Sequence, residues 1–295
     1  MLINKRISVL YFLRLIKWDI LAIGIYSIAA GMLDHYPPLN DLTIPLSVSA
    51  VVGTILSLLL AFRTSQSYER WWEARVVWGA IVNDSRTLIR QIIQFLPAEP
   101  TSLPYIKDFT NRQIIWCYAL SESLRRLPSS QKVKQYLNED SLESNNIPNY
   151  LLNQHAHTLS TLSTRFNLDA NKQVQIDSTL VRLCDSMGKC ERIENTIFPR
   201  SYSELIHFLI YVFMSILPFG LEVAPTIEIF LTFLVPILFI AIERTAIIMQ
   251  DPFENKPTDT PMTTLSKTIE TNLLEMIAEK PEAGRNEGGS TYYIM

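Results

Sequence analysis

The chain has 295 residues, with 26 Lys+Arg against 29 Asp+Glu and a formal net charge of −3, a balance that excludes a generally basic nucleic-acid binder. Hydrophobic residues make up 48% and charged ones 19%, with nine glycines, and the mean hydropathy is +0.13; this excludes a disordered chain and disfavours glycine-rich phosphate loops and turn-dense β folds. What remains is an apolar helical soluble protein or a membrane protein with a large water-facing part.

In chain order, ISVLYFLRLIKWD (residues 7–19) interleaves Arg14 and Lys17 with apolar residues, and no small-residue cleavage site follows. It reads as an amphipathic interfacial helix rather than a signal peptide. Ile20–Leu33 is an uncharged run of 14 residues, and Ile44–Phe62 one of 19. At about 1.5 Å per residue the second reaches ~28 Å as a helix, close to the hydrocarbon thickness of a bilayer. Phe208–Leu221 and Ile229–Ile242 are two further uncharged runs of 14 residues, each extended by apolar flanks, so four transmembrane helices are expected.

Charge favours the membrane reading. The connections 34–43 and 222–226 carry no Lys or Arg, whereas Lys5, Arg6, Arg14 and Lys17 precede the first run, Arg63, Arg70 and Arg75 follow the second, and Arg200 and Arg244 flank the last two. The positive-inside rule then places both termini and the whole segment 63–201 in the cytoplasm. Within that segment, apolar spacing continues a helix past Trp71 to Phe95. Further helices are expected near 105–127, 148–166 and 172–195, with at most a short one between Ser129 and Asn146. An amphipathic helix is expected over Thr264–Ile277, and strand signals are nearly absent. The fold class is all-α, and the organisation is one unit: 1–62, 63–201 (cytoplasmic body), 202–249 (third and fourth membrane helices) and 250–295 (cytoplasmic tail).

Candidate chemistry is sparse. Cys117, Cys184 and Cys190 form no paired spacing, and His35, His155, His157 and His207 are scattered. No metal pattern, nucleophile–base pair or Walker motif stands out, so neither an enzyme nor a resident cofactor is expected. The most continuous apolar run is also rich in small residues: Ser47, Ser49, Gly53, Thr54 and Ser57. They suit either close helix packing or a helix lining a wet pathway. Thr54, Leu58 and Phe62 fall at i, i+4 and i+8 on one broad face, and a ring of such residues from several copies would form a constriction whose apolar members gate by dewetting. No acidic–basic pair lies inside a span, which favours a passive channel over a pump.

The stretch FRTSQSYERWWEARVVWG, Phe62–Gly79, resembles the signature that follows the pore helix in the bestrophin family. CERIENTIFPRSYSELIHFLIYVFMSILPFG, Cys190–Gly220, is similar to its second block, and DPFENKPTDTPM, Asp251–Met262, with TIETNLLEMI, Thr268–Ile277, to its last. The matching residues include Arg70, Trp71, Trp72, Glu73, Arg75, Cys190, Glu191, Pro199, Pro218, Phe219, Gly220, Asp251, Pro252 and Phe253. The resemblance, closest to the bacterial and plant branch, implies a homopentameric ion channel of the bacterial inner membrane with one central pore.

It further implies a neck at Thr54, Leu58 and Phe62, with Ile55 the alternative to Thr54, and a cytosolic aperture near Val174 or Ile176. Arg70, Glu73 and Arg75 are expected in intersubunit or interhelical ion pairs. The implied partners are further copies of the chain, membrane lipid and permeant monovalent ions. Anion (chloride) conductance is favoured by the resemblance, a sodium-type cation channel is the alternative, and a non-conducting scaffold is the rival of another class. Animal members use an acidic run after the DPFG-type turn to hold calcium. Glu254–Asp259 supplies two acids around Lys256, so no calcium activation and no metal site are expected.

Overall fold

The computed structural model describes residues 13–34, 44–137, 144–196, 199–221 and 223–279. Among these residues every regular element is helical: α1 (Lys17–Asp34), α2 (Leu46–Phe95), α3 (Leu103–Leu124), α4 (Gln131–Tyr136), α5 (Ile147–Arg165), α6 (Ala170–Asn195), α7 (Arg200–Ile216), a 3₁₀ turn (Pro218–Gly220), α8 (Pro225–Gln250) and α9 (Met262–Met276). The expected interfacial helix lies mostly outside the described residues, as do His35 and the tail from Lys280 on.

Local chemistry sets the boundaries. The Ser130 hydroxyl accepts from the Val133 amide to open α4. Asn146 Oδ1 accepts from the Asn149 amide at 3.0 Å, with Pro148 in the first turn of α5, and Asp169 Oδ1 accepts from the Asn171 amide at 2.9 Å to open α6. These side chains satisfy amides that a first helical turn leaves without partners. The four apolar runs fall in α1, α2, α7 with its 3₁₀ turn, and α8. Of these, α2 and α8 are long and apolar enough to cross a membrane.

The chain packs as two units. Within the described residues, the apolar unit holds 13–70 and 199–251, and the second unit holds 71–196 and 252–279. The apolar unit is centred on Ile23 of α1, Leu56 and Leu60 of α2, Ile206, Ile210 and Phe213 of α7, and Ile240 of α8. Small residues bring these helices close. A Cβ on Gly53 would sit 3.1 Å from the Phe213 ring, and one on Gly24 3.5 Å from Phe233. The second unit is built around fully buried Trp78, Phe109 and Trp116, with α3 packed on α5 and α9, and α5 on α6.

Candidate functional site

The first half of α2 has a buried side and an open side. Ser49, Leu56, Leu60 and Arg63 are enclosed, whereas Val51 (59%), Ile55 (48%), Leu58 (71%) and Phe62 (56%) are exposed along one stripe, with Thr54 exposed beside them. Large apolar side chains left open on a helical stretch uncharged up to Phe62 call for a partner or a hydrophobic medium. The Thr54 hydroxyl donates to the Ala50 carbonyl at 2.7 Å, and Ser57 does the same to Gly53 at 2.7 Å. Each spends its proton inside the helix, so the stripe presents almost no free donor. The two readings of the small residues therefore divide by position: Gly53 serves packing, and Thr54 lies on the open stripe. Both Thr54 and Ile55 are exposed beside Leu58.

Phe62 is steadied by Tyr202 of α7, whose ring meets it edge-on with centroids 6.0 Å apart and whose hydroxyl donates to the Leu59 carbonyl at 3.1 Å. The next residue, Arg63, is turned inward. Its Nη1 lies 3.2 Å from Glu243 Oε1 on α8, both side chains being 2% exposed, and the other carboxylate oxygen lies 2.9 Å from His207 Nδ1 on α7. Sequence reasoning missed this trio. Arg63 stood out only as a charge flanking a span and His207 as an isolated histidine, and nothing in the linear pattern joins three helices at one point.

The family-like residues hold the structure together within each unit. In the apolar unit Arg70 pairs with Asp251 at 3.8 Å, and the Ile44 amide donates to the Phe219 carbonyl at 2.9 Å. A Cβ on Gly220 would lie 3.0 Å from the Ile44 carbonyl oxygen, so a side chain there would crowd that backbone approach. Pro199 caps α7 and Pro218 opens the 3₁₀ turn.

In the second unit Glu73 of α2 pairs with Arg192 of α6, Asn146 Nδ2 donates to Glu191 Oε1 at 2.9 Å, and Cys190 is buried, which pushes its thiol up to about 12. Trp71 and Trp72 stack at a tilt, 6.3 Å between centroids, and Trp71 Nε1 donates to the Thr258 carbonyl at 2.9 Å. Arg70 and Glu73 thus pair with Asp251 and Arg192 of the same chain, while Arg75 is half-buried.

The loop between α8 and α9 is closed by its own contacts. Thr260 N donates to the Pro252 carbonyl, Phe253 is buried, and Lys256 N donates to Asp259 Oδ2 at 2.9 Å. Glu254 pairs with the Lys256 ammonium, so both acids turn to Lys256 instead of converging on a common point. Among the described residues no group of three His, Cys, Asp or Glu side chains is placed to hold a metal ion.

Of the two aperture residues, Val174 is exposed on α6 (66%), whereas Ile176 is 1% exposed and enclosed in the core of the second unit. Ile176 is therefore corrected from a surface to a packing role. Two residues on a helix are about 200° apart, so one face cannot present both.

The family model described as Bacterial/Fungal Bestrophin protein matches residues 8–275. A voltage-dependent anion channel-forming protein of Ralstonia nicotianae is 31% identical over 272 residues, covering 88% of this chain and 86% of that protein. One of Salmonella typhi is 30% identical, covering 78% and 76%. The crystal structure of a bacterial bestrophin homologue from Klebsiella pneumoniae matches with a TM-score of 0.83 at 26% identity, over 90% of this chain and all of that one. With the family model spanning nearly the whole length, this chain belongs to the bacterial and fungal bestrophin family.

Proposed function

We propose that the chain is one subunit of a homopentameric membrane channel that passes small monovalent anions, chloride among them, passively. The observation that carries this is the open stripe of α2: Leu58 and Phe62 stand exposed on a helix with no charge between Ile44 and Phe62. Copies arranged about an axis would turn this stripe inward, and Thr54, Leu58 and Phe62 would form successive rings of a narrow neck. An apolar ring controls flux by the ease with which water and a partly dehydrated ion occupy it. Val174 would line a second, cytosolic aperture. Anion preference rests on the relatives' names, since the neck itself offers no charged ring. In this reading the four apolar helices cross the bacterial inner membrane, and 63–201 with both termini lies in the cytoplasm.

The test is reconstitution of the purified protein in planar bilayers under a salt gradient. A reversal potential moving toward the chloride equilibrium value supports the proposal. Movement toward the sodium value supports the cation channel of the same architecture. Absence of current, in the native chain and in Leu58→Ala and Phe62→Ala alike, supports a non-conducting scaffold.

A further inference from the structure

A polar cavity of about 280 Å³ opens within the second unit, where α3 meets α4 and α5. Asp108 and Arg112, one turn apart on α3, form its charged wall. The two members of this pair are not equally available. Arg112 is 9% exposed, and its donors are turned to the protein. Nη1 donates to the Gln154 carbonyl at 3.1 Å and to the Thr158 hydroxyl at 2.8 Å, and Nη2 donates to Asp108. Asp108 is 41% exposed. Its Oδ2 accepts from Arg112 and its Oδ1 from the Tyr136 hydroxyl at 3.3 Å. A carboxylate has about four acceptor positions, so Asp108 keeps capacity for a further donor.

The rest of the lining suits the same ligand. Tyr136 gives its proton to Asp108, so toward a ligand its oxygen is an acceptor. The Gln154 side chain adds an amide, Tyr136 and Tyr150 add aromatic rings, and Leu137 with Leu151 adds alkyl surface. Beside Arg112, His155 is fully buried against Phe109, with ring centroids 4.8 Å apart. Burial and the Arg112 charge hold its pKa well below the usual range, so it brings no second positive charge. A carboxylate ligand would have to compete for donors that Arg112 already spends inside the protein. An ammonium group finds an open carboxylate for a charge-assisted hydrogen bond and aromatic rings that attract cations.

We propose that this cavity binds a small primary ammonium compound with a short apolar body, its nitrogen donating to Asp108. Pockets for drug-sized molecules run from about 300 to 1,000 Å³, so the volume here limits the body to a short one. The site lies wholly within the second unit and does not depend on ion conduction by the chain.

The experiment is calorimetric titration of the full-length, detergent-solubilised protein at neutral pH with n-butylammonium, beside n-butanol, tetramethylammonium and butyrate. Saturable binding of n-butylammonium is expected, with each of the other three weaker by about tenfold or more, the equivalent of one hydrogen bond to a charged group. Asp108→Asn, which leaves Arg112 an acceptor, should weaken n-butylammonium to the same extent. Gln154→Trp, which keeps the Asp108–Arg112 pair and fills the cavity, should abolish binding with the melting midpoint of the free protein unchanged. Absence of n-butylammonium binding, or equal uptake by the wild type and both variants, overturns the proposal. So does n-butanol or tetramethylammonium binding as tightly as n-butylammonium, since neither combines positive charge with an N–H donor. Tighter binding of butyrate would make Arg112 the accessible partner and overturns it as well.

Discussion

Arg63 Nη1 of α2 lies 3.2 Å from Glu243 Oε1 of α8, and each side chain is 2% exposed. Removing either charge from water costs several kcal/mol, and the pairing with its added hydrogen bonds offsets most of that. Glu243→Ala should therefore destabilise the protein by about 3–5 kcal/mol by taking the carboxylate from a buried guanidinium. The double replacement Arg63→Met with Glu243→Leu should recover most of this, because it removes both charges together. Thermal midpoints of detergent-solubilised protein check it. A double variant no more stable than the single one would mean that the pair does not balance itself.

Leu58 and Phe62 support a different kind of prediction, because they are open rather than packed. Leu58→Ala should leave stability within about 0.5 kcal/mol, and Phe62→Ala should cost no more than about 1.5 kcal/mol through its edge contact with Tyr202. Both should raise single-channel conductance by widening the proposed apolar rings. Recordings of each variant beside the wild type test this. Large losses of stability with unchanged conductance would assign the two residues to packing.

Val174 and Ile176 divide in the same way on α6. Ile176→Ala removes buried volume at a residue 1% exposed, and should cost about 2–5 kcal/mol. Val174→Ala should be nearly silent in stability and, if α6 lines the cytosolic aperture, should alter the relative permeability of large and small anions. Melting curves with permeability series in chloride, nitrate and larger anions separate the two.

These cases show which features were legible in the sequence. The helices were, because uncharged runs and helical spacing are local: the expected 148–166 and 172–195 became Ile147–Arg165 and Ala170–Asn195, with Asn146 and Asp169 as their caps. The open stripe at Thr54, Leu58 and Phe62 was legible too, since it needs only the period of one helix. Which side of α6 is buried was not, because Val174 and Ile176 are both apolar and only packing against α5 and α2 distinguishes them. The Arg63–Glu243–His207 trio was invisible for a similar reason. Its members are separated by 36 and 180 residues, and each reads alone as an ordinary flanking residue.

Asp259 gives a pH dependence away from the membrane helices. It is 1% exposed, Oδ2 accepts from the Lys256 amide at 2.9 Å, and Oδ1 is buried without a hydrogen-bond partner. Burial pushes its carboxyl up from 3.8 to about 6, against the opposing pull of the Lys256 amide and ammonium and of Arg125. Over that interval the folded chain holds a proton that the unfolded chain has released, so stability must fall as pH rises. The contribution is fully present below the unfolded value of 3.8 and is lost as pH passes about 6. Asp259→Asn keeps an acceptor for the Lys256 amide but cannot ionise, so this component vanishes. The midpoint of the variant relative to the wild type should therefore improve between pH 4.5 and pH 7, as read from melting curves at matched ionic strength. A difference that stays constant across that range would mean that the carboxylate is as well solvated in the folded loop as in the unfolded chain.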